Sequence, residues 1–266
     1  MIAIFTLFTL HWLLSAFSQS FFLHRYAAHH MFSMSPFWER FFFLFTFITQ
    51  GSSFLNPRGY AILHRLHHNH SDTDRDPHSP HFSTNIFSMM YKTAMIYDGY
   101  SRRLVEAPRE TTHTAFPEWP LIERLSVSWT VRIGFGAIYT LFYIAFVPAG
   151  MWYLYLLLPF HWLMGPVHGA IVNWAGHKYG YINHRRTKDQ SRNTLPVDFL
   201  IVGELYQNNH HAHPDSPNFA YRRFEFDPTF QVMRLFAALG IIRFLRNAKT
   251  SRGKKQLVRH DEQVAA

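Results

Sequence analysis

Two stretches of the chain contain no charged side chain, and both are long and strongly apolar. Residues 1–24 and 133–177 carry no Asp, Glu, Lys or Arg. An apolar run of about 18 or more residues can cross a bilayer as a helix, whereas a soluble core helix shows a polar face. The second stretch is long enough for two crossings and has a turn signal at Val147-Pro148-Ala149-Gly150. The pattern predicts membrane spans at about 1–24, 128–147 and 151–173.

Two further segments are predicted to be helical but not to cross the membrane as simple spans. Residues 41–55 form a shorter apolar run that contains Gly51-Ser52-Ser53. Residues 230–249 have apolar side chains at helical spacing with arginines beside them, which is typical of a helix on the membrane surface or of an ordinary packed amphipathic helix. Residues 251–266 are expected to form a disordered tail.

The charged residues indicate which side of the membrane the polar segments face. All 26 lysines and arginines lie in residues 25–132 or after residue 177. By the positive-inside rule, both regions face the cytoplasm, and the net charge of +9 lies above anionic lipid. No basic stripe is interleaved with base-reading residues, so nucleic acid is not an expected partner. The lack of cysteine excludes disulfides, cysteine-ligated zinc, iron–sulfur clusters and thiol nucleophiles.

The histidines, 19 in all, are concentrated at the ends of apolar runs or just after them. The clusters are His24 with His29; His64, His67 and His68; Asn173 with His177; and Gln207, His210 and His211. Helical positions i, i+3 and i+4 share a face, but sequence neighbours such as His67 and His68 lie about 100° apart. Two ions share such neighbouring pairs more easily than one, so the spacing predicts a dinuclear centre. Neutral imidazole suits Fe, Zn, Cu or Ni, but not Mg or Ca.

Other histidines are weaker candidates for metal ligands. His11, His161 and His168 lie within the predicted spans, where we expect hydrogen-bonded packing, although an ionisable residue inside a membrane can be functional. Asp76-Pro77-His78 follows the second cluster. It either supports a ligating histidine through the aspartate carboxylate or forms a simple turn.

In this order, the motifs H-x4-H, H-x2-HH, N-x3-H and x-x2-HH resemble those of the membrane fatty acid desaturases. The nearest group is the acyl-CoA (stearoyl-CoA type) desaturases and their bacterial relatives, and the similarity extends from His11 to Pro214. It implies an all-α integral membrane protein with a single domain over residues 1–266. Three or four transmembrane helices would carry a cytoplasmic helical cap that holds a histidine-rich dimetal site.

The resemblance also implies the ligands of two irons. One iron would be bound by His24, His29, His64, His68 and His210, and the other by His67, His177 and His211, with Asn173 acting through a water. The family usually has histidine where this chain has Gln207. Because Gln207 shares a helix face with His210 and His211, we expect it to reach the site directly or through one water.

Further departures from the family bear on the substrate carrier and the topology. Ile62 and Leu63 replace an Arg-Asp pair that contacts the CoA headgroup in the animal enzymes, which counts against CoA as the carrier. The carrier stays open among CoA, an acyl carrier protein and a membrane lipid. The animal enzymes have an additional early span, which this sequence starts too late to contain. All clusters must lie on one side to share two metals, so residues 41–55 should lie in the interface or re-enter. We therefore expect three spans, an outside N-terminus, and a metal site and C-terminus on the cytoplasmic face, in a bacterial inner membrane.

The implied activity is insertion of a cis double bond, at the delta-9 position, into a saturated acyl chain. Unactivated methylenes are not acidic, so the resemblance implies two non-haem Fe2+ ions with O2 as co-substrate. The sequence shows no haem, flavin or dinucleotide motif, so electrons must come from a donor such as ferredoxin, rubredoxin or cytochrome b5 at the basic face. The alternatives are a diiron lipid hydroxylase, ketolase or alkane monooxygenase and, in another class, a membrane metal-binding or transport protein. Transporters usually place their ligands at mid-membrane.

Overall fold

The computed structural model describes residues 1–245, which are mostly helical. The α-helices are α1 (Ile2–Ser18), α2 (Pro36–Gln50), α3 (Pro57–His70), α4 (Ile86–Ser101), α5 (Pro120–Val127), α6 (Trp129–Phe146), α7 (Leu158–Trp162), α8 (Met164–Lys178), α9 (Gln207–Ala212) and α10 (Pro228–Ala238). A π-helix, Gln19–Ala28, continues α1, and 3-10 helices cover Gly51–Ser53, Arg109–Thr111 and Trp152–Leu157. Strands β1 (Phe32–Met34) and β2 (Ile242–Phe244) pair antiparallel, a small addition to the expected all-α fold. The predicted tail, residues 251–266, lies outside the described residues.

Two helices in residues 1–245 are long and apolar enough to cross a membrane. One is Ile2–Ala28, which joins α1 to its π-helical extension, and the other is α6. A third candidate arises if the bent pair Trp152–Trp162 and Met164–Lys178 is a single span. A mostly helical fold with two or three candidate spans agrees with the expected membrane architecture.

The residues predicted as the third span, 151–173, do not form one continuous helix. The chain forms a 3-10 helix and α7, and then turns by 78° into α8. Pro166 accounts for the break, because proline has no N–H for the carbonyl of residue 162 and its ring clashes with that carbonyl. Leu163 at the break has φ −122° and ψ 25°, outside the helical region.

The helix expected over residues 230–249 is shorter than predicted, since α10 ends at Ala238. Gly240 adopts φ +72°, and the next N–H, of Ile241, donates to the carbonyl of Phe236 (2.9 Å). This pattern is the glycine-terminated helix end, which closes the last turn and redirects the chain. The chain then continues as β2 against β1, and residues 246–249 lie outside the described part.

Helix α2 covers most of the segment expected to lie in the interface, but it begins earlier, at Pro36. It has 15 residues and is not among the candidate spans of the described chain. Aromatic packing joins it to the π-helix and to α10, with ring centres 4.7 Å apart for Phe21 and Phe42 and 5.5 Å apart for Phe42 and Phe236. This core supports the π-helix that carries His24.

Helix α3 carries the second histidine cluster and is held directly against the π-helix. It begins at Pro57, and the side chain of Asn56, the residue before it, accepts a hydrogen bond from the N–H of Gly59 (3.0 Å). The buried guanidinium of Arg65 donates to the carbonyls of Ala28 (2.8 Å) and Ala27 (2.9 Å). Arg65 therefore fixes the two histidine-bearing elements relative to each other.

Candidate metal centre

The clustered histidines converge in one buried region. His24 lies in the π-helix and His29 follows it; α3 supplies three rings, α8 supplies His177, and α9 supplies His210 and His211. The structure separates the eight rings into two groups, and within each group the candidate ligand nitrogens lie within 4.8 Å of one another. The two groups are His24, His29, His64, His68 and His210, and His67, His177 and His211.

The first group has the spacing of ligands around one ion. The Nε2 atoms of His29 and His64 are 2.7 Å apart. The Nε2 of His210 lies 3.0 Å from that of His24 and 2.9 Å from that of His68. Bonds of about 2.0–2.1 Å from a metal to imidazole would place adjacent ligand nitrogens at about 3 Å from each other.

The second group is oriented by three aspartates. Each ring donates its Nδ1–H to a carboxylate: His67 to Asp76 (2.9 Å), His177 to Asp72 (2.8 Å) and His211 to Asp189 (2.6 Å). A carboxylate only accepts, so each Nδ1 carries the ring's proton and each Nε2 carries a lone pair. The Nε2 atoms of His67 and His211 are 3.3 Å apart, and that of His177 is buried without a hydrogen-bond partner in residues 1–245. Three buried lone pairs that face one another fit a metal cation, with the carboxylates in the supporting position usual for ligating histidines.

Burial keeps the first group in the form that binds metals. Burial, reinforced by charge on neighbouring histidines, lowers the pKa of four rings well below the ordinary histidine value: His29, His64, His68 and His210. Metals bind unprotonated imidazole, so these rings offer their lone pairs at neutral pH.

The three aspartates make the electrostatic environment of the second group more negative than that of the first. Burial lowers the pKa of His67, but the nearby carboxylates outweigh burial, so the net shift of this pKa is upward. Burial opposes the ionisation of Asp72, but the hydrogen bond from His177, together with those from the Gln190 N–H and the Ser79 hydroxyl, holds the pKa of Asp72 at about 2. The pKa of His211 falls to about 4, mainly through burial. The position between these rings therefore favours a positive charge.

A buried ion network holds His24 in the first group. Its Nδ1–H is hydrogen-bonded to Glu204, and Arg25 donates to the same carboxylate (2.9 Å) and to Asp227 (2.8 Å). Arg25 is completely buried, with its guanidinium 3.9 Å from the ring centre of Phe219. Burial raises the pKa of Glu204, but the charge of Arg25 and the hydrogen bond from His24 outweigh it and hold this pKa below its ordinary value. Glu204 is therefore ionised and orients the His24 ring.

Asn173 and Gln207 lie beside the two groups. Both line a cavity of about 320 Å³ that also contacts first-group histidines. Gln207 is buried, and its side-chain N–H donates to the backbone carbonyl of Glu204 (2.7 Å). Gly176 on α8 makes room for it, since a Cβ there would lie 2.5 Å from the Gln207 Cγ. The structure therefore brings all ten predicted site residues to one region, eight in the histidine groups and two on the cavity wall.

Two of the orienting carboxylates were not identified from the sequence. Asp72 lies four residues after His68, a spacing that could have indicated it. Asp189 belongs to the long segment between α8 and α9, where no local spacing predicts a contact with His211. Asp76, by contrast, contacts His67, as one of the two interpretations of the Asp-Pro-His motif expected.

The intramembrane histidines lie outside both groups. The Nδ1 atoms of His11 and His161 are 2.6 Å apart, and the hydroxyl of Tyr143 lies 3.0 Å from the Nε2 of His161, in agreement with hydrogen-bonded packing. His168 differs from the expectation, because neither ring nitrogen has a hydrogen-bond partner in the described chain. It packs instead edge-on against Trp12, with the ring centres 4.6 Å apart.

Comparison with known proteins supports the resemblance drawn from the motifs. A family model described as fatty acid desaturase matches residues 2–231. The Delta-9 desaturase-like 5 protein of Arabidopsis thaliana is 30% identical over 237 residues, which cover 86% of this chain and 72% of the relative. The sn-1 stearoyl-lipid 9-desaturase of Anabaena variabilis is 29% identical over 236 residues, which cover 87% of this chain and 79% of that protein.

Proposed function

The chain belongs to the fatty acid desaturase family, and we propose that it is an O2-dependent acyl desaturase with two irons in its histidine groups. The family and its named relatives make it an oxidoreductase, and those relatives act at the delta-9 position by name. We infer the same position here. The observation that carries the proposal is the pair of converging histidine groups beside a largely apolar cavity.

The residues present fit two irons. His24, His29, His64, His68 and His210 would hold one, and His67, His177 and His211 the other. Asn173 and Gln207, which line the adjoining cavity, would act directly or through water. When bound, the irons supply the O2-derived oxidising power that removes hydrogens from unactivated methylenes. Imidazole ligands add no negative charge of their own, and Glu204 and the three aspartates hold the rings in place.

The cavity would hold the acyl chain next to the metal groups. Apolar side chains such as Leu55, Leu63 and Val172 line much of its wall, and Trp162 and Leu163 come from the break between α7 and α8. An apolar wall excludes water from the reacting methylenes, and a chain held there would meet the first group at a fixed carbon pair. The break in the predicted third span thus shapes the wall of the proposed substrate site.

We further propose that the chain is presented on a membrane lipid. Ile62 and Leu63 are both buried and apolar, so these two positions offer no charged contact to a CoA headgroup. Arg132 lines the same cavity, donates its Nε–H to the carbonyl of Ser126 (2.8 Å) and forms no ion pair within residues 1–245. Its remaining guanidinium donors suit a carbonyl or phosphate oxygen of a lipid headgroup.

Expression in a host with a compatible reductase tests the activity. The lipids of that host should gain a monounsaturated acyl chain two hydrogens lighter than its saturated precursor, with the new double bond at the delta-9 position. A pulse of labelled fatty acid should reach the unsaturated form in the lipid fraction before it appears in acyl-CoA. A product heavier by one oxygen would indicate a hydroxylase, and bound iron without any lipid product would favour a metal carrier.

Gln207 should contribute to one metal site although it is not a histidine. Replacing it with alanine should lower the affinity of that site for iron, and turnover, by about 10–100-fold, the range typical of residues that support a metal ligand. The iron content should fall from two toward one per chain. Gln207→His should restore the histidine that the family usually has at this position, and both the iron content and the turnover should recover. Iron content by atomic emission and product yield measure the two effects. Full iron content and full turnover in Gln207→Ala would show that the site does not use this side chain.

A further inference from the structure

A second cavity reaches the metal groups through different histidines from those that line the acyl cavity. It has a volume of about 410 Å³ and shares no lining residue with the first. Its wall includes His68 from the first group and His211 from the second, together with Asp189. One opening thus lies beside a candidate ligand of each iron, away from the proposed acyl site.

The outer edge of this cavity is basic. We define the basic rim as Arg186 and Lys188, which line the cavity, and the adjacent Arg185. All three are exposed and form no ion pair within the described chain. The acid of the same loop, Asp189, is engaged by His211 and by the Ser191 side chain. The three cations of the rim outnumber this one carboxylate, so the loop carries a net positive charge and would attract a negatively charged partner.

The loop that carries the basic rim is attached to the metal-binding helix α9. The Asn208 amide oxygen accepts hydrogen bonds from the backbone N–H groups of Asn183 (2.9 Å) and His184 (2.7 Å). The Asn208 side-chain N–H donates in turn to the carbonyl of His184 (3.0 Å). A partner bound at the rim would therefore contact a loop whose position is fixed relative to His210 and His211.

Building on the proposed function, we propose that the basic rim is the docking site of an acidic one-electron carrier protein. Conversion of –CH2–CH2– to –CH=CH– with O2, two electrons and two protons yields two waters, so each turnover oxidises two carrier molecules by one electron each. Lys188 precedes Asp189, whose carboxylate contacts His211, so the carrier would bind beside a direct connection from the surface to a candidate ligand. Charge complementarity of this kind steers association and weakens with salt.

Binding of a plant-type [2Fe–2S] ferredoxin, an acidic carrier, to the iron-loaded protein in phosphatidylcholine nanodiscs tests the proposal. The double variant Arg186→Glu/Lys188→Glu should weaken binding and slow the second-order oxidation of reduced ferredoxin by at least about tenfold at low salt, with convergence on the parent protein at high salt. Arg234→Glu/Arg243→Glu is the control matched in charge, because both arginines are exposed and have no carboxylate partner within the described chain. It should stay within about twofold of the parent. The basic carrier cytochrome c should show the opposite response to the double variant.

Several results would overturn the proposal. One is ferredoxin binding that does not change with salt concentration, and another is equal binding by the double variant and the parent. A third is an effect of the double variant only on binding to anionic vesicles, which would make the rim a lipid contact. A different result would contradict the proposed function alone. Normal salt-dependent ferredoxin binding without any unsaturated product would contradict the desaturase activity and leave the docking site standing.

Discussion

Replacing His177 with alanine should leave a protein that holds about one iron per chain instead of two and forms no unsaturated product. The reason lies in the second group, where His177 presents a buried Nε2 with no other partner in the described residues and Asp72 fixes its ring. With only His67 and His211 left, the second iron would lose one of three histidines. Loss of a supporting residue alone typically costs about 10–100-fold in affinity or activity, and loss of a ligand should cost more.

The matched control for this variant is His168→Ala on the same helix. His168 is fully buried and belongs to neither group, so its loss should leave two irons bound and turnover measurable. Asp72→Asn should fall between the two variants, since it keeps the size of the side chain but loses the negative charge that orients the ring. Iron content by atomic emission and Mössbauer spectroscopy would report both sites. Two irons and normal turnover in His177→Ala would rule out the proposed second site.

Replacing Arg25 with methionine should destabilise the protein more than any surface charge change, by about 3–5 kcal/mol. The variant would leave the carboxylates of Glu204 and Asp227 buried without their shared cation. It would also remove the guanidinium that stacks on Phe219. For a chain of this size the midpoint of thermal unfolding in detergent should fall by about 10 °C.

Two further variants test whether the lost charge is the cause. Arg102→Met removes an exposed i,i+4 partner of Asp98 and should cost no more than about 1 kcal/mol. Adding Glu204→Gln and Asp227→Asn to Arg25→Met should recover part of the lost stability, since neutral side chains are less costly to bury without a partner. An unchanged unfolding midpoint in Arg25→Met would show that the network contributes little to folding.

The parts of this protein that follow from local spacing were predictable. The histidine boxes lie on short helices, so positions three and four apart share a face, and His64 and His68 fall in one group while His67 falls in the other. The apolar windows likewise indicated the helices at residues 2–28 and 129–146, because uncharged length is a local property.

Features that depend on distant segments were not predictable in the same way. Asp189 contacts His211 from a loop between α8 and α9. Arg25 is buried because it pairs with Glu204 and Asp227, which lie 179 and 202 residues further along the chain. The bend before α8 could not be predicted because a proline such as Pro166 can also be tolerated as a kink within a continuous span. Gly240, which ends α10, was visible in the sequence, but the return of the chain as β2 depends on pairing with β1.

Mass spectrometry of the lipid made by purified, iron-loaded protein under 18O2 is the most direct measurement. The protein should contain two irons per chain, and with reduced ferredoxin it should convert a stearoyl lipid to a product two hydrogens lighter that contains no 18O. All of the 18O consumed should be recovered in water. A product that carries 18O, or an active preparation whose only metal is zinc, would contradict a diiron desaturase.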